Sequence, residues 1–237
     1  MLGYGFDITL IFVIPAMIFA MIAQFKVRSV FSRYSKTPCK SGLTGAQTAR
    51  RLLFEAGVSD VEIERISGNL NDHYDPRQRV LRLSAEVHDS TSVAALGVAA
   101  HETGHAIQHS LGYSPLALRN SILPVASLGS KIAMPLFILG MFITYLAEIG
   151  GGFGFMLMQA GIVLFTLVVI FQLVTLPVEF NASRQALYLL ENGNILDSDE
   201  TARAKQVLNA AAMTYVASAA VGITQLLRLL LISGRRR

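Results

Sequence analysis

Charge is scarce in this sequence. Only 15% of its 237 residues are Asp, Glu, Lys or Arg, against about a quarter in a soluble domain, which excludes an ordinary water-facing surface. Tryptophan is absent, and Cys39 is the single cysteine. One cysteine cannot close an internal disulfide and fits a reducing compartment. The net charge of +4 is small, and basic residues are not interleaved with aromatics, so no nucleic-acid partner is expected. Internal repeats and low-complexity tracts are also lacking.

What replaces charge is apolar bulk: 52% hydrophobic residues and a mean hydropathy of +0.49. It is concentrated in the runs Ile8–Ala23, Ile122–Leu146 and Phe153–Leu176, with a fourth, Met213–Ile232, interrupted by Arg228. A helix needs roughly 20 apolar residues to cross about 30 Å of hydrocarbon, so the chain reads as a mainly α, multi-pass membrane protein with three to four transmembrane helices. The first run has no positive leader and does not read as a cleaved signal peptide. Lys26, Arg28, Arg33, Lys36, Lys40, Arg50 and Arg51 follow it before the first acid, Glu55. The positive-inside rule then puts the residues after about 26 in the cytoplasm. The stretch AEIGGGFG between the second and third runs has no Lys or Arg, as suits the outer side. The last helix either crosses or lies at the interface, according to which side Arg235, Arg236 and Arg237 occupy.

The expected organisation is an anchor over 1–25, a polar segment over 26–120, a transmembrane hairpin over 121–177 and a C-terminal part over 178–237. In the polar segment Thr44 caps a helix, GAQTARRLLFEA, that Gly57 stops. VEIERI and RVLRLS alternate as strands around the turn-rich SGNLNDHYDPRQ, predicting a small β-hairpin or sheet. Ser90 or Ser92 caps a helix through VAALGVAAHETGHAIQH, ended by Gly112 and Pro115. Pro177 is expected to open a new helix, PVEFNASRQALYLLEN.

The segment HETGHAIQH holds three of the five histidines. His101 and His105 are four apart, hence one helical turn apart on nearly one face, where both imidazoles reach one Zn²⁺ ion. Glu102 is rotated about 100° from His101, so it flanks the ion and can take a proton from water. His, Glu and His on a small, apolar helix are not a solvated face and would be costly in a core unless bound to something. His109 is about 12 Å along the axis from His101, too far to share an ion, and suits a surface position or an outer partner of the site. Among the carboxylates, Glu148 belongs to the outer loop, and Asp72, Asp75, Glu86 and Asp89 precede the helix. Glu191, Asp197, Asp199 and Glu200 lie in a polar loop. Glu179, two residues after Pro177 at the cytoplasmic surface, is left as the third ligand. Ser183, one turn on, can bond Glu179 or the outer nitrogen of a histidine, or simply face solvent. His73 and Tyr215 are candidate oxyanion donors, weighed against a turn residue and a core aromatic.

SGLTGAQTARRLL, NDHYDPRQRVLRLS, GVAAHETGHAIQH, FQLVTLPVEFNASRQAL and KQVLNAAAMTYVA together resemble the bacterial membrane-associated neutral zinc metallopeptidases of the YugP type, over nearly the whole chain. The zinc helix plus the glutamate segment is similar to gluzincins. A more distant similarity is to the HtpX and CAAX-processing membrane proteases, which carry an Asp four residues after the ligand Glu, where this chain has Ser183. The resemblance implies a zincin-like helical core and hydrolysis of peptide bonds at the cytoplasmic face of a bacterial plasma membrane. It implies one Zn²⁺ on His101, His105 and Glu179, with Glu102 as general base. The substrate would be a peptide or membrane protein, paired with RVLRLS as an edge strand. The oligomeric state is not fixed by these residues. A non-catalytic, zinc-stapled scaffold is the alternative from another class, although such sites are usually closed by four protein ligands. A transporter would need charges inside its spans, and Val93–Ala100 is too short for an intramembrane helix carrying the motif.

Overall fold

A computed structural model of the chain describes residues 9–68, 71–146 and 152–234. Over these the order is α1 (Leu10–Tyr34), α2 (Gly45–Glu55), β1 (Glu62–Ile66), β2 (His73–Asp75), β3 (Val80–Ser84), α3 (Ala85–His88), α4 (Val93–Ser110), α5 (Ser114–Leu146), α6 (Gly152–Asn192) and α7 (Ser198–Gly234). The protein is mainly α, with one three-stranded sheet among the described residues. Helices α1, α5, α6 and α7 are each long and apolar enough to cross a membrane. The last of these takes in the Met213–Ile232 run, and Lys131 stands exposed midway along α5. Glu148 and the three terminal arginines lie outside the described residues.

The chain divides into two compact units. The membrane unit comprises 118–175 and 215–237 with the first 22 residues. Its core is Phe137, Met158, Ile162 and Leu229. There α5 and α6 approach through glycine. A Cβ on Gly140 would fall 2.5 Å from Gly154 O, and one on Gly161 would fall 2.8 Å from Ala133 O. Small residues at such crossings let helix backbones meet where lipid gives no hydrophobic drive.

The second unit, Ala23–Ala117 with Leu176–Thr214, is built around α4. Thr44 caps α2 in a reciprocal box with Gln47, and Ser92 caps α4 by accepting from Ala95 N at 3.2 Å. Leu52, Leu96, Ala100, Leu190, Ile195 and Leu208 form one core cluster. Leu81, Leu83, Ala94, Ala95 and Ala99 form a second, which seats the sheet on α4. Small residues along α4 allow that seating, and each fully buried Leu contributes about 1.5–3 kcal/mol.

Three local expectations are corrected. The sheet order is β1-β3-β2, with β1 parallel and β2 antiparallel to β3. RVLRLS is therefore the central strand, bonded on both sides, and cannot receive a peptide along its edge. His73 lies in strand β2 rather than in a turn. The three-residue β2 is hidden in sequence by Asn, Asp and Pro, because Asp75 folds the next turn: its Oδ1 accepts from Arg77 N and Gln78 N. Arg82 then ties the strands together, donating to Glu64 at 2.9 Å and to Asp75 at 3.2 Å. Finally, α6 does not begin at Pro177 but runs through it. Proline removes one N–H from the ladder and bends a helix, and the flanking turns on both sides keep this one continuous. Pro115 likewise falls in the first turn of α5, which starts earlier than the apolar run suggests.

Candidate metal centre

The site belongs to the second unit, where α4 meets the 176–192 part of α6. Gly104 makes the meeting close: a Cβ there would lie 2.9 Å from Ala182 O. Because Gly104 sits between His101 and His105 on the helix, this contact brings both imidazoles against α6. At the far end α4 is stopped by Gly112 at φ +63. That left-handed residue lets Tyr113 N donate to Gln108 O at 2.9 Å and closes the helix.

Glu179 is 2% exposed. Its Oε2 lies 3.3 Å from His101 Nε2 and 3.6 Å from His105 Nε2. Ligand atoms of all three residues fall within 4.8 Å of one another, and the two rings meet edge to face with centroids 4.8 Å apart. Tetrahedral zinc with bonds near 2.0–2.1 Å has donor–donor edges of about 3.3 Å, so the two nitrogen–oxygen separations suit such an ion. The outer nitrogens are engaged elsewhere. His101 Nδ1 is 3.1 Å from Ser183 Oγ, and His105 Nδ1 is 3.0 Å from Gln108 Oε1. Each ring thus turns its Nε2 toward the carboxylate, the arrangement by which outer hydrogen bonds orient metal-binding histidines. Donor set and geometry fit a single divalent cation held by three protein ligands.

Glu102 is partly buried one position along α4. Burial pushes its carboxyl above the usual carboxylate range. The charges of His101 and His105 oppose that rise, while Glu179 and Asp72 add to it. For His105, burial favours the neutral ring, but the nearby carboxylates of Glu179 and Glu102 outweigh it and raise its pKa. Asp72 is raised by burial, against bonds donated by Ser84 N at 2.7 Å and Ser84 Oγ at 3.0 Å.

The other sequence candidates fall elsewhere. His109 is one turn past His105, with Nδ1 2.9 Å from Tyr74 Oη, so it ties the end of α4 to β2 and is not the outer partner of a ligand histidine. His73 is exposed on β2, its Nδ1 2.8 Å from Asn71 O. Tyr215 lies on α7 in the membrane unit, with its side chain partly exposed. The residue that sequence reading missed is Gln108, fully buried three positions after His105. The available signal was an amide on an otherwise apolar helix face.

Residues 9–234 match the family described as "Putative neutral zinc metallopeptidase", and the chain belongs to that family. It is 47% identical over 210 residues to the "Putative membrane protease YugP" of Bacillus subtilis (strain 168), covering 89% of each chain. No solved structure matches.

Proposed function

We infer that this protein is a zinc-dependent peptidase of the HExxH gluzincin type, working where a membrane meets the cytoplasm. The observation that carries the reading is the convergence of His101 Nε2, His105 Nε2 and a Glu179 oxygen within 4.8 Å, with Glu102 at the next helical position. Three protein donors correspond to a catalytic zinc, whereas structural sites are usually closed by four. When bound, the ion supplies Lewis acidity, polarising a carbonyl and making water acidic enough to attack at neutral pH. The chain's own residues do the rest. His101, His105 and Glu179 hold the ion. Glu102 accepts the proton of the attacking water and delivers it to the leaving amine nitrogen. Desolvation raises the Glu102 pKa, which brings its basicity closer to working pH.

The substrate class is a peptide or a membrane protein segment. With β3 paired on both sides, its backbone would lie along the outer edge of β2, the strand bonded to the end of α4 through Tyr74 and His109. Cytoplasmic placement rests on the positive residues after the first run. Four crossings would also keep the segments before α5 and after α6 on one face. The test is the Glu102→Gln variant, purified in detergent and given a peptide library. Hydrolysis is expected to fall by roughly 10²–10⁴-fold while zinc stays bound. A variant as active as the native protein overturns the assigned base, and a native protein that cleaves nothing overturns the reading.

A further inference from the structure

The two histidines are held by chemically different partners. At His101 the outer nitrogen meets a hydroxyl, Ser183 Oγ, at 3.1 Å. A hydroxyl donates or accepts, so this contact does not decide which ring nitrogen carries the proton. At His105 the outer nitrogen meets the amide oxygen of Gln108 at 3.0 Å. The amide nitrogen of Gln108 lies 3.0 Å from Val178 O and 2.7 Å from Asn181 Oδ1. A backbone carbonyl only accepts, so the NH₂ end of Gln108 must face Val178. The oxygen end is then left for His105, and it too only accepts. The proton of a neutral His105 is therefore on Nδ1, and the free lone pair is on Nε2, the nitrogen 3.6 Å from Glu179 Oε2.

We propose that Gln108 is a positioning residue that locks His105 in the Nδ1–H tautomer, taking its orientation from the main chain beside Glu179. The carbonyl it uses belongs to Val178, the residue before Glu179. One fully buried amide thus references the histidine on α4 to the same turn of α6 that carries the carboxylate. The role is specific to His105, because the Ser183 contact leaves His101 free in this respect. A leucine at 108 would fill similar volume and keep none of the three bonds. A glutamate there would still present an acceptor oxygen to Nδ1–H. This inference deepens the zinc reading and rests on it for its purpose, though not for the tautomer itself.

The experiment uses the full chain in detergent with ¹⁵N-labelled histidine. Ring-nitrogen NMR is recorded without metal at alkaline pH, and Zn²⁺ affinity is measured by competition with a chelator. The native His105 is expected to show an unprotonated Nε2. Gln108→Leu is expected to mix the tautomers and weaken Zn²⁺ binding by roughly 10–100-fold, the usual loss for an outer partner. Gln108→Glu is expected to restore both readouts. If Gln108→Leu does not fold, Gln108→Met removes the amide from a side chain of the same length, with the same direction of loss expected. Native tautomer and affinity in Gln108→Leu, or in Gln108→Met where that variant stands in, overturn the proposal. So does a loss that Gln108→Glu fails to recover, which would mark Gln108 as packing alone. A native chain that binds no Zn²⁺ defeats the zinc reading, while the metal-free ring signals still decide the tautomer.

Discussion

Both units of this protein bring helices together over a small residue, and they use the closeness for different ends. In the membrane unit α5 and α6 meet at Gly140, Gly154 and Gly161, against backbone atoms, apolar side chains and the Thr144 hydroxyl. The contact itself is the product, as expected where dispersion must hold helices together in lipid. In the other unit Gly104 of α4 meets Ala182 of α6, and polar groups flank that crossing on both sides: His101 and His105 face Glu179, and Gln108 reaches Val178. There the close approach sets the distances among three candidate metal ligands. A glycine at a helix crossing acquires a chemical role only through the polar residues beside it.

The largest effect that should separate the units is metal removal. Chelation is expected to abolish peptide hydrolysis and added Zn²⁺ to restore it, while circular dichroism of the helices stays nearly unchanged. Activity that survives exhaustive chelation would mean that the crossing at Gly104 serves packing only. Next come matched substitutions. Gly104→Val and Gly161→Val should each lower stability by about 1–3 kcal/mol through overpacking, read from thermal unfolding in detergent. Only Gly104→Val should also weaken Zn²⁺ binding, and equal affinity in the two variants would mean that the two crossings do not differ in this way. The smallest effect lies at the edge of the site unit. Tyr74→Phe loses the bond to His109 and should cost about 1 kcal/mol with Zn²⁺ affinity intact. A tenfold drop in affinity would instead tie His109 to the metal centre.

How legible all this was in the sequence depended on the range of each interaction. The spacing of His101 and His105 is a local helical fact, and the caps at Thr44 and Ser92 are equally local. Glu179 was reachable because membrane topology narrows which carboxylates can share a face with HETGH. The parallel pairing of β1 with β3 was not legible, since register between strands separated by a third is decided by burial on α4. The continuity of α6 was hidden because Pro177 is a local stop signal that long flanking helices override. Gln108 was missed for the same reason of range: its two acceptors, Val178 O and Asn181 Oδ1, lie about seventy residues away in the chain.

The central claim is that two imidazoles and one carboxylate share one zinc ion. Elemental analysis of the purified native chain and of its Glu179→Ala variant tests it most directly. One zinc per native chain and far less than one in the variant are expected. A native chain without zinc, or a variant that keeps its full complement, would contradict it.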